Sequence, residues 1–330
     1  MSTLYLMEQG SVLHKRGERL EITKDGKRLL QVPAMKVEQV VVFGNIQVTT
    51  PALGYLLKQG IDLVYLSSRG VFRGRLQPPR SRNIYLRWAQ YERARDPHFQ
   101  LQVARAIVAG KIANARTLCL RFQRAGHVKE VDNALERLEG LRRMAAQAEL
   151  VALRGIEGAA AGLYYWILRQ ALRGDLTFPR RTKRPPRDPV NVLLSLAYTL
   201  LLNSVMAAVE IVGLDPYLGF YHAEKYGRPA LALDLMEEFR STIADAFVVM
   251  LINKRVITVD DFHEEFGQVR LSYGGQRRFL REWSDKLNDE ITHPYFDYSA
   301  TYARCIELQV RLLAKVIQGE LPEYLPFRAR

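Results

Sequence analysis

The sequence predicts an α+β protein, with an N-terminal β-sandwich domain followed by a larger all-α domain. Two patterns indicate this fold class. Short β-branched runs separated by glycine turns fill residues 1–77, whereas apolar residues recur at helical spacing over residues 97–330. Prolines at positions 78 and 79 interrupt the sheet pattern, so we assign residues 78–96 to a linker. A chain of 330 residues that is 48% hydrophobic can supply a core to each of two domains.

The predicted strands of the N-terminal domain are short and regularly spaced, as in a small β-sandwich. They cover residues 3–6, 11–14, 19–22, 28–32, 37–43, 46–49, 61–66 and 71–76. Asp25-Gly26 is a strong hairpin signal, because both residues accept the positive φ of a tight turn. Thr50-Pro51 predicts the start of a short helix through Gln59, with a threonine cap and proline at the first helical position.

The helical domain is predicted from long amphipathic stretches. They cover residues 97–124, 130–154, 190–212, 234–255, 276–288 and 298–318. We find no apolar run of 18 residues, which argues against a membrane span, and the N-terminus lacks the pattern of a secretory signal. Cys119 and Cys305 lie far apart without metal-ligand spacing, which argues against a disulfide framework or a zinc site. A reducing cytoplasm fits this use of cysteine.

The chain is strongly basic, with a formal net charge of +13 and a pI near 9.8. This excess favours a polyanionic partner, with nucleic acid as the leading candidate, although an acidic membrane attracts the same surface. Residues 69–95 interleave arginines with Tyr85, Trp88 and Tyr91, which indicates either phosphate contacts or a solvated linker with core aromatics. A proline-rich loop over residues 174–189 is a second basic segment, for which we expect DNA-backbone contacts rather than simple solvation. Its candidate DNA-binding residues are Arg180, Arg181, Lys183, Arg184 and Arg187.

The stretch from Leu214 to Arg240 carries the candidate chemistry. His222 lies in a loop rich in glycine and proline, and Asp234 and Glu237 follow at a spacing that places them on one helix face. An imidazole and carboxylates that converge can bind a divalent cation: carboxylates suit Mg²⁺ or Mn²⁺, and the histidine favours Mn²⁺. The alternative is that these acids only stabilise the positive end of a helix dipole.

A second acidic candidate, Glu157, lies in the small-residue stretch Arg154–Gly162. Glycine lowers helix propensity by up to about 1 kcal/mol, so we expect another segment to pack closely there and to bury Glu157. A buried carboxylate needs a partner such as a cation. The alternative is an exposed glutamate beside a tightly packed helix pair.

Three motifs, in this order, resemble the CRISPR-associated integrase family, the family numbered one among CRISPR-associated proteins. They are RGIEG at residues 154–158, DPVNVLLS at 188–195, and LGFYHAEKYGRPALALDLMEEFR at 218–240. The resemblance covers essentially the whole chain. It implies that Glu157, His222 and Glu237 are the metal ligands and that Asp234 has a supporting or catalytic role. Glu224 and Glu238 are expected to face solvent. Asn191 and Ser195 could support the site or hold neighbouring backbone.

The same resemblance implies the activity and the partners. It predicts a metal-dependent DNA endonuclease and integrase of CRISPR adaptation, in which the 3′-OH of a captured DNA fragment attacks a repeat boundary by transesterification. It also implies a homodimer and a small ferredoxin-like partner, the CRISPR-associated protein numbered two. Two alternatives stay open: a non-catalytic nucleic-acid scaffold, and a hydrolase of small phosphoesters. The extended basic loop argues against the second, because a small substrate needs no cationic track.

Overall fold

The computed structural model describes residues 3–77, 83–182, 186–223 and 225–329. It divides into two compact units. The first contains Met1–Arg80 with Leu280–Asn288, and the second contains Ser81–Phe279 with Asp289–Arg330. The predicted α+β class is confirmed, since strands dominate the N-terminal part and a larger helical part follows.

Among its described residues before position 81, the first unit contains two four-stranded sheets and one α-helix. Its elements are β1 (Thr3–Leu6), β2 (Val12–Arg16), β3 (Arg19–Lys24), β4 (Lys27–Pro33), β5 (Gln39–Phe43), β6 (Gln47–Val48), α1 (Thr50–Gln59), β7 (Asp62–Leu66) and β8 (Phe72–Leu76). One sheet has the order β4-β3-β2-β6 and the other β1-β5-β7-β8. The predicted hairpin at Asp25-Gly26 joins β3 to β4, and both residues have positive φ. Leu13, Leu20 and Leu56 are fully buried in the core of this unit.

The pairing within the second sheet differs from a simple antiparallel arrangement. Strands β1, β5 and β7 run parallel, and only β8 is antiparallel to its neighbour. Parallel neighbours need a crossover connection, which α1 supplies between β5 and β7. The face-to-face packing of the two sheets as a sandwich stays a prediction.

The second unit is mainly helical. Its elements are α2 (Ile84–Arg95), α3 (Pro97–Arg124), α4 (Asp132–Ala145), α5 (Leu150–Ala171), α6 (Pro189–Val212), α7 (Ala230–Met236), a π-helical segment (Arg240–Asp245), α8 (Ala246–Asn253), β9 (Phe262–Glu265), β10 (Gln268–Leu271), β11 (Glu290–Thr292), β12 (Ser299–Thr301) and α10 (Tyr302–Ile317). Helix α9 (Tyr273–Asn288) runs from this unit into the last segment of the first. Helix α3 contacts α5, α7 and the π-helical segment, and these contacts position the candidate site.

Several boundaries differ from those expected. The segment assigned to the linker contains α2, whose Gln90 donates hydrogen bonds to the carbonyls of Asp215 (2.9 Å) and Leu218 (2.8 Å). Helix α2 therefore holds the loop that leads to His222. The predicted helix over residues 130–154 is divided between α4 and α5, and the one over residues 234–255 begins earlier and contains the π-helical segment.

Helix α6 corrects the expectation about apolar runs. Among the described residues it is the one helix long and apolar enough, by length and composition, to cross a membrane. The expectation that no such run exists was therefore wrong. Of the most apolar 18-residue segment of α6, 67% is buried inside the protein, as in the core helix of a globular domain. The segment is therefore weak evidence for a membrane span.

Candidate active site

Four predicted site residues come together from three parts of the helical unit. Glu157 lies on α5, His222 lies in the loop between α6 and α7, Asp234 lies on α7, and Glu237 directly follows α7. Their side chains are linked by hydrogen bonds and ion pairs, either directly or through Lys111 of α3. The two glutamates therefore share one site and do not lie on opposite sides of the molecule.

Asp234 organises the loop that carries the histidine. Its buried carboxylate accepts hydrogen bonds from the backbone N–H groups of Phe220 (2.7 Å), Tyr221 (3.0 Å) and His222 (2.9 Å). Oδ1 also lies 2.7 Å from Nδ1 of the His222 ring. Because both oxygens of Asp234 are engaged within the protein, the geometry favours a supporting role over direct metal ligation.

This contact determines which ring nitrogen of His222 faces the site. When Nδ1–H donates to Asp234, the neutral ring carries its lone pair on Nε2. Nε2 lies 3.9 Å from Oε1 of Glu237. The imidazole therefore presents a free nitrogen toward the glutamate, as a metal-binding histidine requires.

Glu237 is buried, with 2% of its surface exposed, and basic side chains surround it. Its Oε1 lies 3.2 Å from Nε of Arg240, and its Oε2 lies 2.6 Å from Nζ of Lys111. Burial raises the pKa of this carboxyl, but Arg240 and Lys111 outweigh burial and hold the pKa at about 2. Glu237 is thus ionised at neutral pH.

Glu157 faces the same lysine. Lys111 donates a hydrogen bond to Oε1 of Glu157, and the hydroxyl of Tyr221 donates to Oε2 at 2.5 Å. Burial lowers the pKa of Lys111, but Glu237 and Glu157 raise it by more, so the ammonium stays charged. Within the described residues, no three His, Cys, Asp or Glu side chains form a ready-made metal site, and Lys111 lies between the two glutamates.

Sequence reasoning missed Lys111. One signal could have found it: a single lysine in the middle of a 28-residue helix, between the buried residues Gly110 and Ile112. A charged residue in such a place needs a partner. The spacing along α3 does not reveal which acid supplies the partner, because Glu157 and Glu237 belong to other elements.

The expectation for Glu238 was wrong. Glu238 does not face solvent: it is fully buried and accepts hydrogen bonds from Tyr324 Oη (2.5 Å), Phe327 N (2.7 Å) and Gln309 Nε2 (3.0 Å). These contacts anchor the C-terminal segment. Glu224 lies outside the described residues.

The glycines of the small-residue stretch of α5 do not face a closely packed segment, contrary to expectation. A Cβ atom added at Gly155, Gly158 or Gly162 would meet nothing within 4 Å. The Glu157 side chain is 23% exposed, and it pairs with Lys111 of α3.

The basic loop contains residues of two kinds. Arg180 and Arg187 are exposed, whereas Arg181 donates to Asn191 Oδ1 at 2.6 Å and its guanidinium lies 5.2 Å from the Tyr198 ring centroid. The Asn191 side chain also forms hydrogen bonds with the backbone of residues 180 and 182. This agrees with the second of the two roles expected for Asn191, that of holding neighbouring backbone. Lys183 and Arg184 lie outside the described residues.

The aromatic residues of the first basic segment do not form a core. Tyr85 is 74% exposed and Trp88 is 57% exposed, and their rings meet edge to face at 5.9 Å. Tyr91 is exposed as well and donates a hydrogen bond to the Asp215 carboxylate. Their exposure rules out the core alternative for these three residues.

A histidine and two glutamates that converge in a strongly basic chain are typical of metal-dependent enzymes acting on phosphodiesters. Comparison with known proteins identifies the family. The family model described as CRISPR associated protein Cas1 matches residues 4–285. The chain belongs to this family.

Two curated relatives of the same family match over nearly their full length. "CRISPR-associated endonuclease Cas1 3" of Thermus thermophilus is 39% identical, and the match covers 100% of this chain and 98% of the relative. "CRISPR-associated endonuclease Cas1 2" of Rhodospirillum rubrum is 37% identical, and the match covers 99% of this chain and 98% of the relative. A Cas4/Cas1 fusion of Geobacter sulfurreducens is 40% identical, and this chain covers 60% of it. The prediction of a CRISPR-associated endonuclease is confirmed.

Solved structures share the fold. A Cas1 protein from Thermotoga maritima superposes with a TM-score of 0.83 at 23% identity, with 100% of both chains covered. A casposase bound to an integration product gives a TM-score of 0.84 at 24% identity, covering 98% of this chain and 93% of that one. A chain of a Cas6-RT-Cas1–Cas2 complex gives 0.82 at 26% identity, covering 98% of this chain and 36% of that one.

Proposed function

We propose that this Cas1 protein joins the 3′-OH of a captured DNA fragment to a CRISPR repeat boundary by transesterification, and that water serves as the nucleophile in its nuclease reaction. The observation that carries the proposal is that Glu157 and Glu237, which are distant in sequence, both contact Lys111, and that Nε2 of His222 lies 3.9 Å from Oε1 of Glu237. Family membership supports the integrase reaction, and the net charge of +13 supports a DNA substrate.

The donor set fits a divalent cation. Glu157 and Glu237 offer carboxylate oxygens, and His222 offers Nε2 because Asp234 engages Nδ1. Carboxylate oxygens with one imidazole suit Mn²⁺ or Mg²⁺. When bound, such an ion supplies Lewis-acid polarisation of a phosphate oxygen and stabilises the charge of the attacking and leaving oxygens.

The protein itself orients these donors. Asp234 fixes the ring of His222, Arg240 holds Oε1 of Glu237, and the Tyr221 hydroxyl holds one oxygen of Glu157. The exposed Arg180 and Arg187 lie on the loop that leads into α6 and are suited to contact the DNA backbone. Phosphate contacts of this kind position the substrate without reading its sequence.

The proposal includes partners and location. Two copies would pair through their N-terminal β-rich domains, whose two sheets would pack as a sandwich. The dimer would assemble with the small ferredoxin-like CRISPR-associated protein numbered two in the cytoplasm. A structural neighbour that contains Cas1 and Cas2 in one complex supports this assembly.

The decisive test is a joining assay on supercoiled, repeat-bearing DNA with a 3′-OH oligonucleotide, with and without Mn²⁺. We expect joining by the unmodified protein and by His98→Ala, which removes an exposed histidine of α3. His222→Ala should lose joining and largely retain DNA binding. Unchanged joining by His222→Ala would refute the ligand assignment. DNA binding without any joining by the unmodified protein would favour the scaffold alternative.

A further inference from the structure

The cluster around Lys111 has a charge balance that bears on metal binding. Lys111 and Arg240 together carry two positive charges, and they pair with the two negative charges of Glu157 and Glu237. Asp234 is occupied separately by His222 and backbone N–H groups. The two glutamates are therefore already neutralised by the protein, and a divalent cation added to this arrangement would leave an excess of positive charge.

The ammonium group also uses the oxygen atoms that a metal ion would need. Its Nζ contacts Oε1 of Glu157 and lies 2.6 Å from Oε2 of Glu237. The remaining oxygens accept from the Tyr221 hydroxyl (2.5 Å) and lie near Arg240 Nε (3.2 Å). A cation and this ammonium cannot both lie between the same two oxygens, because like charges at contact distance repel strongly in a site of low dielectric.

We infer that Lys111 is a built-in counter-ion that competes with the divalent cation for Glu157 and Glu237, so that metal binding is coupled to DNA binding. The inference rests on the proposed metal site and deepens it. Without DNA, Lys111 holds the two carboxylates together and lowers metal affinity. With DNA, a phosphate supplies the negative charge that the displaced ammonium needs, and the metal ion binds more tightly.

The coupling has a reciprocal consequence. If DNA raises the affinity for the metal ion by some factor, the metal ion must raise the affinity for DNA by the same factor. Lys111 is thus a positioning residue with two alternative partners, the glutamates in the resting protein and a phosphate in the loaded one. Its flexible four-carbon stem and exposed fraction of 21% allow the side chain to move between them.

The test measures Mn²⁺ affinity directly, by titration calorimetry and by the EPR signal of free Mn²⁺, with and without duplex DNA. We expect Lys111→Met to bind Mn²⁺ at least tenfold more tightly than the unmodified protein without DNA, and to lose most of the enhancement by DNA. Lys111→Arg keeps the charge and should keep the weaker affinity. Arg124→Met is the matched control, since it removes a positive charge from the exposed end of the same helix, about 20 Å away at 1.5 Å per residue.

A second readout shows that the variants fold. In EDTA, Lys111→Met should melt several degrees below the unmodified protein, because the two glutamates then repel one another, and Mn²⁺ should restore the melting temperature. Equal or weaker Mn²⁺ affinity in Lys111→Met would overturn the inference. The proposed function fails separately if Glu157→Gln and His222→Ala bind Mn²⁺ as the unmodified protein does.

Discussion

Nδ1 of His222 lies 2.7 Å from Oδ1 of Asp234, a carboxylate that is completely buried. The same carboxylate accepts three backbone N–H groups from Phe220, Tyr221 and His222. One side chain therefore fixes both the path of the loop and the orientation of the ring at its end. The motif histidine and the motif aspartate act as one unit.

Asp234→Asn should impair both stability and metal binding. The amide has one acceptor oxygen in place of two, so at least one buried N–H of the loop loses its partner, which costs about 1–3 kcal/mol of unfolding free energy. A misoriented His222 should weaken Mn²⁺ binding about 10- to 100-fold. Denaturant unfolding and Mn²⁺ titration measure the two effects.

The control for this change is Asp260→Asn, at an exposed acid outside the site. It should alter the unfolding free energy by less than about 0.5 kcal/mol. Wild-type metal affinity in Asp234→Asn would show that the ring needs no carboxylate partner.

Gly219 lies where the loop passes closest to α7. A Cβ atom at this position would lie 2.5 Å from Oδ2 of Asp234 and 2.8 Å from the carbonyl carbon of Ala230. Backbone cannot yield easily at such distances, so Gly219→Ala should cost about 1–3 kcal/mol of unfolding free energy and reduce joining with it. Thermal melting and the joining assay measure these losses.

Gly158→Ala is the matched control on α5. The added methyl meets no atom within 4 Å there, and alanine favours the helix over glycine by up to about 1 kcal/mol. This variant should therefore be more stable than the unmodified protein. Lower stability would indicate that α5 contacts a further element.

Sequence reasoning succeeded where the determinants are local. Helix α3 has the predicted bounds, because Asp96 caps it and Pro97 occupies its first position, and Asp188-Pro189 begins α6 in the same way. His222, Asp234 and Glu237 lie within one short stretch, and the resemblance of that stretch to a family motif singled them out. Each of these features can be recognised from the residues next to it in the sequence.

The missed residues depend on tertiary packing. Glu237 and Glu238 lie between α7 and a π-helical segment that begins at Arg240. A π-helical turn contains an extra residue. The regular α-helical period therefore does not predict which way these two side chains point. The first faces Lys111, whereas the second faces Tyr324. No periodicity in the sequence distinguishes these two neighbouring acids.

The basic loop allows DNA binding and loop structure to be separated. Arg180 and Arg187 are exposed, so replacing either by alanine should leave the unfolding free energy within about 0.5 kcal/mol. If the replaced arginine binds a phosphate, the salt dependence of DNA affinity should fall by about 0.9 in the log–log slope. Fluorescence anisotropy at several salt concentrations measures the slope.

Arg181→Ala should behave differently. Its guanidinium donates to Asn191 and lies over the ring of Tyr198, so its removal should cost about 1–3 kcal/mol of unfolding free energy. An unchanged unfolding free energy with a reduced salt slope would instead show that Arg181 binds DNA.

Glu238 should make the protein less stable as the pH rises through neutrality. Burial raises the pKa of this carboxyl from 4.5 to about 7, against the opposing hydrogen bonds of Tyr324, Phe327 and Gln309. Between pH 4.5 and pH 7 the folded state binds a proton that the unfolded chain releases. The unfolding free energy that this proton contributes is therefore lost as the pH rises through 7. From pH 6.5 to 8 the loss should be about 1 kcal/mol, measured by urea unfolding.

Glu238→Gln isolates this contribution. Its amide oxygen can accept from Phe327 and Gln309, and its amide nitrogen can donate to the hydroxyl of Tyr324, so the neutral side chain keeps the contacts without titrating. Burial lowers the pKa of the His293 imidazole. This residue therefore has the opposite effect: it makes the unfolding free energy of the protein fall as the pH falls below 6.5. The unmodified protein and Glu238→Gln share that effect, so the difference between their pH profiles reports on Glu238 alone. Parallel profiles from pH 6.5 to 8 would mean that Glu238 is already ionised in the folded protein at pH 6.5.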